Sequence, residues 1–147
     1  LEASSDLTGV DGLTLYGGIS EVDQFQNAGT INGDVSESVI GIKYSAGGFS
    51  VGYQITDEDT GQTAAASYEN TSYGITFNVN DDLSIGYGHV ESEKKDSNTA
   101  EADSIQVAYT MGGATISFSE VDVENRAYGT SSAADVSGHV VSLGLAF

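Results

Sequence analysis

The 147 residues include no cysteine, no proline and no tryptophan, and only four lysines and arginines against 22 aspartates and glutamates. Without cysteine there is no disulfide framework and no thiolate metal site. Without proline no segment carries a residue confined to sheet edges and bulges, so backbone ladders can run uninterrupted. A net charge of −18 removes the basic patch that a phosphate backbone requires, and with it a nucleic-acid partner. No apolar run approaches the roughly 18 residues of a membrane helix, which excludes helical spanning. Spanning by strands stays open, because a barrel strand needs only about 9 to 11 alternating residues. The length bounds the chain to one domain at most, or part of one. Leu1-Glu2-Ala3 has neither the basic region nor the apolar core of a signal peptide, so the expectation is a removed leader or a start inside a longer protein.

What is present is glycine, 19 residues, and tyrosine, eight, in segments with a period of two. The last segment is the clearest: Val141, Leu143, Leu145 and Phe147 share one face, and Ser142, Gly144 and Ala146 the other. Large apolar residues on one face suit lipid, and small polar residues on the other suit a wet lumen, the alternation of a transmembrane β-barrel. Eight such strands are predicted, over 13–23, 37–46, 49–56, 62–79, 83–91, 104–111, 114–122 and 137–147, after a lead-in of 1–12. Their outward candidates run from Leu13, Leu15 and Ile19 through Ile40, Ile42, Val51, Tyr53, Tyr73, Ile75, Ile85, Tyr87, Ile105 and Val107 to Ile116 and Phe118, with no charged residue among them. In the fourth segment Ala64, Ala66 and Tyr68 are out of phase with Tyr73 to Val79, so a bulge, or a loop over 62–71, is expected there.

Connections sort into two kinds. Three are tight, with the Gly, Asn and Asp chemistry of hairpins: Ala46-Gly47-Gly48, Asn80-Asp81-Asp82 and Met111-Gly112-Gly113. Four are long and polar, 24–36, 57–71, 92–103 and 123–136, and the two kinds alternate along the chain. Outer-membrane barrels have short periplasmic turns and longer extracellular loops. Past the lead-in only Asp81 and Asp82 lie at short turns, and the other 17 acids gather at the opposite rim. A soluble antiparallel sandwich also alternates its faces. Against it stand the uninterrupted apolar faces and the regular alternation of connection length.

An apolar alternating strand ending in Phe147 resembles the closing strand of bacterial outer-membrane proteins. Together with Val10-Asp11-Gly12-Leu13-Thr14-Leu15-Tyr16-Gly17-Gly18, Ser38-Val39-Ile40-Gly41-Ile42-Lys43-Tyr44 and Asp82-Leu83-Ser84-Ile85-Gly86-Tyr87-Gly88, it is similar to the C-terminal half of Gram-negative general diffusion porins, especially the alphaproteobacterial type. The resemblance implies an all-β fold, an antiparallel transmembrane β-barrel of about 16 strands to which this chain contributes eight. It further implies an outer-membrane homotrimer passing small hydrophilic solutes, with Val141, Leu143, Leu145 and Phe147 as the signal read by the barrel-assembly machinery. The inward-folded constriction loop of such porins belongs to their first half. Residue size points the same way: the interior of an eight-stranded barrel is filled by side chains, and the inward set here is mostly Gly, Ser, Thr and Ala.

Candidate pore-lining residues are Lys43, Gln54, Asn78, Gln106, Thr110 and Ser117. Lys43 is the one basic residue on a lumen face, where charged rings tune selectivity; a solvated wall lysine is the alternative. Arg126 could fold inward or pair with Glu120, Asp122 or Glu124. Asp57, Glu58 and Asp59 supply hard oxygen ligands suited to Ca²⁺ but lack the spacing of an EF-hand, so a solvated acidic loop competes with a weak Ca²⁺ site; no cofactor is required. Glu91, Glu93, Asp96, Glu101 and Asp103 could be bridged by divalent cations to lipopolysaccharide. His89 and His139 are placed outward near the extracellular strand ends, without a third zinc ligand. Tyr44, Phe49 and Tyr109 suit an aromatic girdle. Three functions compete. The first is a passive pore with mild cation preference. The second is a complete eight-stranded outer-membrane barrel with a structural or adhesive role, and the third a soluble Ca²⁺-dependent adhesion module. An enzyme has least support, since no nucleophile motif accompanies the histidines.

Overall fold

The structure is a computed structural model and describes residues 1–24, 33–62 and 67–145. It is a single antiparallel sheet of nine strands in sequential order. A two-residue β1 (Glu2–Ala3) and one helical turn, α1 (Ser5–Thr8), precede β2 (Leu13–Val22), β3 (Val35–Ala46), β4 (Phe49–Asp59) and β5 (Ser67–Asn78). Then come β6 (Leu83–Lys94), β7 (Ala100–Met111), β8 (Ala114–Glu124) and β9 (Val136–Leu145), the last two joined through short 3-10 turns at Arg126–Tyr128 and Ser132–Ala134. The lead-in 1–12 thus holds a ninth strand and a helical turn, both too short to leave a periodic signal. Every pairing joins sequence neighbours, with none of the crossovers of a Greek key.

At the three tight turns β3, β4, β6, β7 and β8 begin or end at the residues hydropathy gives, and β5 ends one residue earlier, at Asn78. At the other end most continue several residues into the acidic tracts, β4 to Asp59, β6 to Lys94 and β7 back to Ala100. Backbone pairing does not need an apolar face, and where both faces are wet the alternation that marks a strand in sequence disappears. The same applies to β5. It pairs with β4 without a bulge from Phe49↔Phe77 to Asp59↔Ser67, so Tyr68 is out of phase with Tyr73 because it faces the other side. Ala64 and Ala66 lie outside the described residues.

Local chemistry sets the tight turns. The Asn80 side-chain oxygen accepts from the amides of Asp82 (2.9 Å) and Leu83 (2.8 Å), the side-chain mimic of a turn for which Asn is favoured. Gly12 combines a φ of +77° with a backbone approach so close that a β-carbon would lie 1.9 Å from the Ser45 carbonyl oxygen.

Among the described residues nothing forms a second layer over the sheet. Ala134 is the one buried apolar side chain among the described residues, while Ile19 is 90% and Leu143 67% exposed. The accessible surface is 9850 Å², against about 7,100 Å² for a compact monomer of this mass. Both sides of the sheet are therefore presented outward. Among the described residues its edges are open as well: β9 pairs only with β8, and the outer side of β2 is covered only by the two-residue β1.

Candidate functional site

One face of the sheet carries all six pore-lining candidates. Lys43 sits in a ladder row with Thr14, Gly52, Gly74, Gly88 and Ser104, three successive glycines that leave open space beside its side chain. Neighbouring rows hold Gln54 with Gly41 and Ser72, then Gln106 with Gly86 and Ser119, and Asn78 with Ser84, Ala108 and Ser117. The Thr110 and Thr115 hydroxyls lie 3.0 Å apart, and the Ser117 hydroxyl donates to that of Ser142 at 3.2 Å. This face is hollowed. A depression of about 800 Å³ runs from Tyr16 of β2 to Val121 of β8, and a second of about 490 Å³ lies over Gln106, Ser117 and Ser142. Tyr16 belongs here too, though period-two reading does not single it out. Its ring covers Gly41, where a β-carbon would come within 2.2 Å of Cζ, and its hydroxyl donates to Gln54 Oε1 at 2.9 Å. Val39, Val90, Val121 and Val136 also share the hollow face, so it is less uniformly polar than the sequence suggests.

The opposite face carries a continuous apolar band, and the register shows that it is slanted. On β2 its last member toward the long loops is Ile19, level with Ser38, Asp57, Glu69 and Glu93 on the next strands. On β9 its last member is Val141, level with Phe118, Val107, Ile85, Phe77 and Phe49. From Asp57 to Phe49 the band has stepped down eight residues of ladder over the seven intervals between β2 and β9. At about 3.3 Å per residue and 4.8 Å between strands, the strands cross the band at roughly 35–40° from its perpendicular. Tyr44, Phe49 and Tyr109 are on this face near the short turns, and Val141, Leu143 and Leu145 share the face. Phe147 lies outside the described residues.

Immediately beyond the band, on the long-loop side, acids stand directly opposite one another. Asp57, Glu69 and Glu93 form one row, Glu91, Glu101 and Glu124 another, and Asp103 faces Asp122. Each like-charged cross-strand pair is destabilising by roughly 0.2–1 kcal/mol. Asp57, Glu58 and Asp59 fall within β4 rather than in a loop, so Glu58 faces the hollow side and its two neighbours the other. The structure does not bring the three together, and among the described residues no group of three His, Asp or Glu is placed to hold a metal ion. At the band's edge His89 Nδ1 lies 2.9 Å from Asp103 Oδ1, which also accepts from the Tyr87 hydroxyl, and Tyr73 stacks on His89 at 4.9 Å. His139 shares this face, stacked on Phe118.

The loop between β8 and β9 folds back over the hollow face. Tyr128 packs on Tyr68 of β5 with ring centroids 5.9 Å apart, and the Lys94 ammonium lies 5.6 Å from the centroid of each ring. The Tyr128 and Ser92 hydroxyls are 2.9 Å apart, and Ser92 in turn donates to Asn70. Holding this path puts Asn125, Ala127 and Tyr128 at φ values of 51°, 56° and 60°, left-handed conformations that cost about 1–3 kcal/mol each outside glycine. Asn125 is anchored through Nδ2 to the Thr99 carbonyl at 2.9 Å. Arg126 is exposed and, like Lys43, makes no ion pair among the described residues. Neither the loop's path nor the joining of Tyr68 to Tyr128 has a signal in the sequence, because both depend on four strands being in register.

No family model, curated protein or solved structure matches this chain.

Proposed function

We propose that this chain forms part of the wall of an outer-membrane porin, a water-filled channel through which small hydrophilic solutes and ions diffuse passively. The single observation that carries this reading is the slanted apolar band. A flat slab of lipid can meet a sheet along such a band only if the strands tilt against the slab, and the slope falls in the 35–45° range of barrel strands in membranes. A soluble sheet buries its apolar face under a second layer, and among the described residues this one has none. The hollow face, lined by Gly, Ser, Thr and Gln with Lys43 among them, is then the lumen, and the tight turns are periplasmic.

Two open edges favour a larger barrel over a closed eight-stranded one, since a strand row with unsatisfied backbone groups has no place in lipid. A barrel of about 16 strands also leaves the aqueous channel that these small side chains imply. The acid rows at the long-loop rim raise the local cation concentration, so the channel prefers cations mildly. Trimerisation, contact with lipopolysaccharide and delivery by the barrel-assembly machinery belong to the same proposal.

The test is intact mass, oligomeric state and planar-bilayer conductance of the detergent-extracted native protein. Trimers of a larger subunit giving stepwise, cation-preferring channels are expected. A 15.2 kDa monomer without conductance steps would sink the proposal.

A further inference from the structure

The β8–β9 loop does something its position in sequence does not require. Tyr128 leaves β8 and crosses β7 and β6 to reach Tyr68 on β5, three strand spacings or about 14 Å. Every side chain it meets belongs to the hollow face: by register Ser92 and Asn70 are level with Thr56, and Lys94 and Tyr68 with Glu58. The loop therefore lies across the long-loop end of the hollow rather than standing up from the rim. It is packed as well, for the buried Ala134 sits against Gly129, and the side chain of Asn98, from the β6–β7 connection, donates to the Gly129 carbonyl at 3.3 Å. Consecutive left-handed residues persist only where contacts over-determine them, and here those contacts are the two tyrosine rings, the ammonium between them and the Ser92 hydroxyl.

We propose that this loop is a lid over the mouth of the channel, latched by Tyr128 on Lys94, Tyr68 and Ser92, and that it sets the upper size of the hydrophilic solutes admitted. The size role rests on the channel reading above; the latch itself does not. With the latch closed, the hydroxyl, ring and ammonium groups crowd the mouth. With Tyr128 released, the left-handed turn relaxes and the loop swings off the hollow face.

Two measurements on the native full-length protein in liposomes separate latch from channel. Trypsin cleavage after exposed Arg126 reports the open fraction of the loop, because cleavage tracks the open population when opening is fast. Tyr128→Ala is expected to cleave about tenfold faster, through loss of one hydrogen bond and the ammonium contact. Tyr128→Phe and Ser92→Ala should each give a smaller and similar gain, not additive in the double variant. Equal cleavage of wild type and Tyr128→Ala overturns the latch. Swelling in sugars of increasing size is the second measurement. Tyr128→Ala should admit larger sugars than wild type. An identical size limit overturns the lid while the channel stands. Faster cleavage with no swelling in any sugar overturns the channel, and the size role with it, while leaving the latched loop in place.

Discussion

The two ends of the same strands live under different rules. Toward the tight turns, Phe49, Phe77, Ile85, Val107 and Phe118 line one face and Ser50, Thr76, Gln106 and Ser119 the other, and past the lead-in the acids at the turns are Asp81 and Asp82. Toward the long loops the ladder continues unbroken, but acids oppose acids on the band's side, polar residues mix with Val39, Val90, Val121 and Val136 on the hollow side, and one connection turns through left-handed backbone to pack Tyr128 on Tyr68. Hydrogen bonding is common to both ends and so cannot be what distinguishes them. On the proposed reading the difference is the medium each end meets, and the slanted boundary between them is where that medium changes.

The largest expected break in this comparison comes from charge placed in the band. Val107→Lys should cost about 2–4 kcal/mol of folding stability in lipid, while Gln106→Lys, one residue away on the hollow face, should stay within about 0.5 kcal/mol. Urea titration of both in vesicles checks this, and equal losses would mean the faces are misassigned. At the rim the sign reverses. Glu101 stands between Glu91 and Glu124, so Glu101→Gln should stabilise by roughly 0.2–1 kcal/mol at low salt and lose that gain in 1 M salt, where screening reaches about 3 Å. The smallest effect is on selectivity: Lys43→Gln should shift the reversal potential further toward cations, and a shift toward anions would remove Lys43 from the lumen.

How much of this was legible beforehand divides along the same line. The tight-turn half could be read residue by residue, because there one face is apolar and the other not. The acidic half could not, since strand and loop have the same composition where both faces are wet; hence β4, β6 and β7 run past their expected ends and Asp57, Glu58 and Asp59 become strand residues on opposite faces. The lumen candidates Lys43, Gln54 and Asn78 followed from periodicity. Tyr16, lying over Gly41, and Tyr128, reaching Tyr68, did not, because each owes its place to a partner strand. The slant itself was invisible until register joined the strands, for each apolar run taken alone looks level.

The central claim is that the band marks a slab of lipid cut obliquely by the strands, and the chain's lack of cysteine allows a direct test by single-cysteine spin labelling in bilayers. Tyr53 and Asp122 lie in one ladder row, through Tyr73, His89 and Asp103, whereas Ile116 lies six ladder residues lower than Asp122 on β8. A label at Tyr53 should match one at Ile116 in oxygen accessibility and membrane depth, while a label at Asp122 should be in water. Tyr53 matching Asp122, with both in water or both in lipid, would contradict the oblique band and the membrane wall built on it.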